Sequence, residues 1–235
     1  MTVNVKPMYK KTLYLFTLLI ITNPLYAAEG AYVGNFTDSY IAEDSTTTLS
    51  SKSFSLEERS VNKFVNEIFK DNILLTLNYM DGRIKTKSDI VWEDVTKPRS
   101  YQFELKPQET FAFHDQILEG YDNNGVKTTN AHFNYQDGFK SSGYLFGDGV
   151  CHLASLLYWA SLDAGLTVHS PTDHDFAKIN EVPKEYGVSI YYMPGGFEKS
   201  ARQNLYITNN LDTPVSFIFS YDGKVLSVDV TKFKS

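Results

Sequence analysis

Only one cysteine, Cys151, occurs in this chain of 235 residues. No internal disulfide can tie the chain, so whatever it folds into has to be held by a buried apolar core. Aromatic residues make up 14% of the sequence, and such rings suit a compact, sheet-based interior.

The first residues have the layout of a secretory signal peptide. Lys6, Lys10 and Lys11 form a basic region, residues 12–21 are almost wholly apolar, and a polar break follows at Thr22, Asn23 and Pro24. Ala27 offers a small residue before a cut that would leave Ala28 at the new N-terminus. The apolar stretch is shorter than the roughly 20 residues a membrane-spanning helix needs. No cysteine follows it to carry a lipid. The expected organisation is a signal peptide over residues 1–27, a Ser/Thr-rich arm or linker over 28–54 and a single domain over 55–235. The expected location is periplasmic or extracellular, with no stable membrane span after cleavage. In such an oxidising compartment a lone thiol is buried and inert, paired between chains, or used chemically.

Charge narrows the partners. There are 28 acidic residues against 22 basic ones, a formal net charge of −6, with no dense run of Lys or Arg. This excludes nucleic acid as the expected partner and argues against an anionic membrane surface.

Periodicity predicts the elements. Val61, Phe64, Val65, Ile68 and Phe69 recur at helical spacing, so a helix is expected over residues 56–70, with Ser55 as its N-cap and Glu57 and Glu58 in its first turn. The run "NILLTLNYMDGRIKTKSDIVW" reads as two strands around a hairpin at Asp81 and Gly82. Tyr101, Phe103 and Leu105 alternate as a strand. Further strands are expected at 132–135, 188–193, 205–208, 215–220 and 225–230, the last two joined by a turn at Asp222 and Gly223. There is no regular alternation of strand and helix. The expected fold class is α+β, a largely antiparallel sheet packed against a cysteine-bearing helix and an N-terminal helix.

The cysteine helix carries the sharpest chemical signal. In "GYLFGDGVCHLASLLYWASLDAGL", residues 143–166, Gly147 and Gly149 permit a tight turn. Asp148 is placed to cap a helix starting near Val150. Leu153, Leu156, Leu157, Ala160 and Ala164 share one face. At about 100° per residue, Cys151 falls roughly 160° from the centre of that stripe. A thiol on the first turn lies beside free backbone N–H groups and the positive end of the helix dipole. That setting favours a thiolate and supplies an oxyanion hole. Tyr158 and Leu162 share the cysteine's side, however, and a helix buried all round would make Cys151 a small core residue.

A nucleophilic thiol needs a base. Five histidines are present: His114, His132, His152, His169 and His174. His152 neighbours Cys151 but projects about 100° away from it. His174 lies in "SPTDHDFAKI" beside Asp173 and Asp175, and a carboxylate next to an imidazole can orient it. The candidate catalytic set is therefore Cys151 as nucleophile, His174 as base and Asp173 as its orienting partner. A metal site built from His174, Asp173 and Asp175 with Cys151 or His152 has no recognised ligand spacing, so neither metal nor cofactor is expected. An L,D-transpeptidase-like site could use His132 upstream of the cysteine. Asp148, Gly149 and Val150 stand where its Ser-His-Gly run would be, and the motif is not met.

Four segments occur in order: "FELKPQETFAFHDQIL", "GYLFGDGVCHLASLLYWASLDAGL", "YYMPGG" and "NLYITNNLDTPVSFIF". Together they resemble the VanW-like family of exported bacterial proteins, over about residues 100–220. The family pattern has three glycines, Val-Cys-Gln, a Ser/Thr cluster and a Leu-Tyr-containing helix ending in Ala-Gly-Leu. Here Asp148 replaces the middle glycine, His152 the glutamine, and Ala154, Ser155 and Leu156 the Ser/Thr cluster. His174 keeps a family histidine position, while Thr172 stands where another would be. The turn after "YYMPGG" lacks the family's Asp-Ala.

The resemblance implies association with the cell envelope and with vancomycin-resistance clusters. The expected function is an exported, accessory or binding module whose partner is cell-wall peptide or another envelope component. The alternative is a cysteine-dependent hydrolase or acyltransferase acting on cell-wall peptide through Cys151.

Overall fold

In the computed structural model, which describes residues 46–121, 125–143 and 146–234, the chain divides into two units, Met1–Ile41 and Ala42–Ser235. All described residues belong to the second unit. The expected signal peptide, and the expected arm up to residue 45, lie outside the described residues.

The remainder of that expected arm is a strand, β1 (Thr46–Ser55). It pairs antiparallel with the last strand of the chain, with a bulge between Thr48 and Ser50. Threonines favour a pleated, half-buried surface, and Phe54 and Ser50 turn inward and are buried. A Ser/Thr-rich composition resembled a linker only because the partner strand lies nearly the whole domain away in sequence.

The first helix, α1 (Lys63–Met80), begins seven residues later than expected and runs ten residues further. Asn62, not Ser55, caps it; the Asn62 Oδ1 accepts from the Phe64 and Val65 N–H groups. Its second half absorbs the first of the two strands read into residues 72–92. Ile73, Leu74, Leu75 and Leu77 are all fully buried, and a helix apolar on every side sits in the core and loses its 3.6-residue signature. The polar residues of this stretch are satisfied internally: the Asn72 side chain bonds the backbone of Lys140 and Asp148. Asp81 and Gly82 end the helix instead of turning a hairpin, with Gly82 at φ +77°. A 3-10 turn (Lys87–Asp89) and the short α2 (Trp92–Val95) stand where the second strand was expected.

Strand β2 (Arg99–Leu105) and strand β3 (Thr110–Ala112) follow, then β4 (Val126–Thr128), α3 (Val150–Asp163) and β5 (Thr167–His169). After a second 3-10 turn (Lys184–Tyr186) come α4 (Phe197–Arg202), β6 (Tyr206–Thr208), β7 (Val215–Tyr221) and β8 (Val225–Phe233). Two four-stranded sheets result, in the orders β1-β8-β7-β2 and β4-β3-β6-β5. The first is wholly antiparallel; in the second only β3 and β4 run parallel. The fold is α+β. The β7–β8 turn at Asp222 and Gly223 is the expected hairpin, with Gly223 at φ +107°.

Two expected strands are absent. Residues 132–135 are loop, with Phe133 at φ +56°, a value an extended strand cannot contain. Residues 188–193 form no strand; they make one bridge, Val188 to Asp173, and the Tyr191 N–H bonds the Gln203 carbonyl.

The core joins all these layers. The Phe103 ring of β2 stacks between Phe111 of the second sheet at 4.7 Å and Phe217 of the first at 4.5 Å. Helix α3 packs on β1, β8 and β5, and α1 on α3 and β2. Leu153, Leu156, Leu157 and Ala160 of α3 are fully buried. Among the described residues no helix is long and apolar enough to cross a membrane.

Candidate functional site

The glycine turn ahead of α3 is demanded by its surroundings. Gly149 is the N-cap and has φ +97°. A Cβ there would lie 2.7 Å from the Phe69 Cα and 2.9 Å from the Phe69 carbonyl oxygen. At Gly147, φ +78°, a Cβ would meet the Phe133 Cβ at 2.7 Å and the Phe133 oxygen at 2.9 Å. Both positive φ and close backbone approach require glycine. Asp148 does not cap the helix as expected. Its Oδ2 accepts from the Ser142 N–H at 2.8 Å instead, because the left-handed glycine at the N-cap turns the chain before an aspartate could reach the first amides.

Cys151 occupies the first turn of α3 and, as a residue, is partly exposed. Its sulfur is engaged by one neighbour: Sγ accepts from the Ile190 N–H at 3.4 Å, and its S–H points to the Ile190 carbonyl at 3.6 Å. One turn further on, the Ser155 Oγ donates to the Cys151 carbonyl at 2.7 Å and accepts from the Val188 N–H at 2.9 Å. The i, i+4 pair Cys151 and Ser155 thus forms two side-chain rungs that hold the 188–190 backbone against the helix. Burial pushes the Cys151 thiol up to about 11, and the Asp148 carboxylate adds to that shift. The sequence leaves two readings open, a thiolate favoured by the helix dipole and a small core residue, and burial of the sulfur favours the second. Desolvation wins because the 188–190 segment, invisible in a helical projection, covers the sulfur.

Burial disfavours the charged form of both His152 and His174. His152 is buried, sits edge-on to Phe69 at 5.2 Å and lies 6.2 Å from the His174 ring. Its Nδ1 has no hydrogen-bond partner. Burial, with Arg59 and His174 adding, pushes it down to about 3. His174 is also buried and its pKa is lowered by desolvation. Its Nδ1 faces the Ala177 carbonyl at 3.1 Å, and its ring lies 3.9 Å from that of Phe176.

Cys151, His174 and Asp173 are therefore brought into one neighbourhood but not into one relay. The backbone of residues 172–174 pairs with 187–189, and that strip is the one clipped to α3. Yet the sulfur bonds Ile190, the imidazole bonds Ala177, and the Asp173 side chain is exposed. A cavity of about 480 Å³ opens beside His174, lined by Phe176, Ile179, Val182, Pro183 and Lys184.

Two features went unnoticed in the sequence. His132 sits between two carboxylates, Nε2 at 3.2 Å from Asp115 Oδ2 and Nδ1 at 3.1 Å from Asp137 Oδ2. Its ring lies 4.6 Å from that of Tyr192. Behind it His114 is fully buried, braced by Asn204 and the Gln203 carbonyl, and burial pushes it down to about 4. The one local signal was Asp137, five residues after His132 in an Asn/Asp/Gly-rich loop. The other feature is a groove of about 530 Å³ lined by Phe64, Trp92, Tyr135 and Phe146, whose rings come from four separate stretches of chain. Among the described residues no group of three or more His, Cys, Asp or Glu side chains is arranged to hold a metal ion.

A family model described as VanW like protein matches residues 99–231, from the start of β2 almost to the end of β8. No curated protein and no solved structure matches the chain.

Proposed function

The chain belongs to the VanW-like family, and from that premise we propose that it is an exported accessory or binding module of the cell envelope, with Cys151 in a structural role. The observation that carries this reading is the hydrogen bonding of the sulfur to both backbone groups of Ile190, with the thiol held protonated. A cysteine hydrolase or acyltransferase needs a thiolate beside a base. At Cys151 burial opposes the thiolate by more than the Ile190 N–H favours it, and His174, the candidate base, bonds the Ala177 carbonyl. The partner is cell-wall peptide or another envelope component. Export is supported by the basic, apolar and small-residue order of residues 1–27.

Cys151→Ser in the full chain tests the role of the sulfur. Serine keeps a donor and an acceptor for Ile190, so retention on purified cell-wall material is expected to be unchanged. Loss of retention, or of any turnover of cell-wall peptide, with unchanged melting would overturn the reading in favour of the thiol enzyme. Labelling the native protein with a small thiol reagent gives a second check: reaction is expected to rise only towards pH 11, and rapid labelling at pH 7 would count against the proposal. Cell fractionation with N-terminal sequencing checks export; the expected product is outside the cytoplasm and begins at Ala28.

A further inference from the structure

The groove on the α1 side of the molecule holds large rings left about half or more in water, although Tyr135 and Phe146 meet edge to face at 5.8 Å. Phe64 is 68% exposed, Tyr135 60% and Phe146 49%. Large rings left in water around a concave surface mark a contact site rather than incidental exposure. Trp92 forms part of the same wall. Phe64 and Trp92 precede the family-matched segment, whereas Tyr135 and Phe146 lie inside it, so the groove exists only where the two parts of the chain meet.

The charges lining the groove are already answered. Glu67 pairs with Lys70 at 2.5 Å and Asp71 with Lys140 at 2.5 Å. The Lys140 ammonium lies 3.8 Å over the Trp92 ring. The Lys87 ammonium donates to the Tyr135 carbonyl and lies 3.3 Å from the Tyr135 ring centre. With Glu67 and Asp71 against Lys87 and Lys140, the lining carries as many cations as anions. A charged ligand would have to break these pairs to gain a contact. What remains exposed is about half or more of Phe64, Tyr135 and Phe146, with polar groups set between them, among them Ser141 and the paired carboxylates. A ligand that matches this has apolar faces to stack on rings and hydroxyl or amide groups around its edges. Pyranose sugars have that form: their apolar faces can lie on rings, and their hydroxyls can donate to the spare lone pairs of the paired carboxylates without displacing the lysines, whereas an apolar peptide offers no such donors at its edges.

We propose that this groove, built on Phe64, Trp92, Tyr135 and Phe146, binds an uncharged glycan. The proposal rests on the reading of the chain as an envelope-binding module and assigns that module a ligand class and a surface. Titration of the mature chain with chitotetraose and with cellotetraose, followed by calorimetry and by tryptophan fluorescence, tests it. The expected result is saturable binding to at least one of the two. Affinity should stay nearly constant between low and high salt, since no net charge is matched. Tyr135→Ala and Phe146→Ala are each expected to weaken binding about tenfold or more with unchanged melting, because both rings are exposed. Phe176→Ala, an exposed ring at the other cavity, is expected to leave binding unchanged. If neither oligosaccharide binds while the protein is still retained on intact cell-wall material, the glycan proposal is overturned and the module reading stands. If the protein is retained on neither, both are overturned. Preferential binding of an apolar peptide in the groove likewise overturns the glycan assignment.

Discussion

At the start of α3 the side chains that carry the family motif are turned to internal use, while in the aromatic groove conspicuous rings are left facing water. Cys151 and Ser155 hold the 188–190 backbone, and Gly147 and Gly149 let the turn approach the Phe133 loop and the Phe69 backbone of α1 within contact distance. Phe64, Tyr135 and Phe146 leave about half or more of their surface in water. The comparison teaches that a recognisable motif can be recognisable for architectural reasons. A glycine turn and a clipped backbone segment tolerate few residue types, because backbone conformation and buried hydrogen bonds are unforgiving. A contact surface made of exposed rings obeys no such local rule.

The comparison breaks most visibly at Gly149. Gly149→Ala places a methyl against the Phe69 backbone in a left-handed conformation, and the expected loss is about 4 kcal/mol, read as a large fall in the urea midpoint or failure to fold. A near-neutral result would mean that the turn is loose and the architectural reading wrong. Acid comes next. His152 and His114 have folded pKa values pushed below the ordinary value, to about 3 and about 4. Below pH 6.5 the unfolded chain binds protons that the native state refuses, so stability falls as pH drops through that window and is fully present above it. His152 alone is expected to contribute a loss of about 3 kcal/mol between pH 6.5 and 4, and that part of the loss is expected to vanish in His152→Leu; chemical denaturation at a series of pH values measures it. Ser155→Ala follows. It leaves the buried Val188 N–H without an acceptor, and about 2 kcal/mol is expected to be lost, with faster hydrogen exchange at the Val188 amide as the specific sign. Smallest is Tyr135→Ala. Since the ring is mostly in solvent, stability should change by less than about 0.5 kcal/mol, and a thermal melt checks this. Were Tyr135→Ala the more damaging of these last two variants, the roles assigned to the two regions would have to be exchanged.

Legibility from the sequence follows the same division. Strand β2 was visible in the alternation of Tyr101, Phe103 and Leu105, the β7–β8 hairpin in Asp222 and Gly223, and α3 in its leucine stripe. Each signal is local and periodic. The second half of α1 was read as a strand because Ile73, Leu74, Leu75 and Leu77 are buried on all sides, which removes the amphipathic period. Strand β1 was read as an arm because its partner β8 lies at the other end of the domain. The candidate site was half legible: Cys151, His174 and Asp173 do share a region, but the bonds that decide their chemistry come from Ile190 and Ala177. The groove draws its rings from distant segments, and of the His132 cluster only Asp137 is near in sequence, while Asp115 and Tyr192 come from elsewhere.

By itself the amino-acid order determined which stretches turn, which alternate and which carry a helical stripe, because these depend on steric and hydrogen-bonding rules acting over a few residues. It also determined the α+β class and the absence of any internal disulfide. Only the tertiary structure decided how α3's first turn is covered, and with it the protonation of the one sulfur, since desolvation depends on atoms 39 residues away in the chain. It alone decided that four aromatic side chains would meet around one groove. Both outcomes are set by long-range packing, which no local pattern encodes.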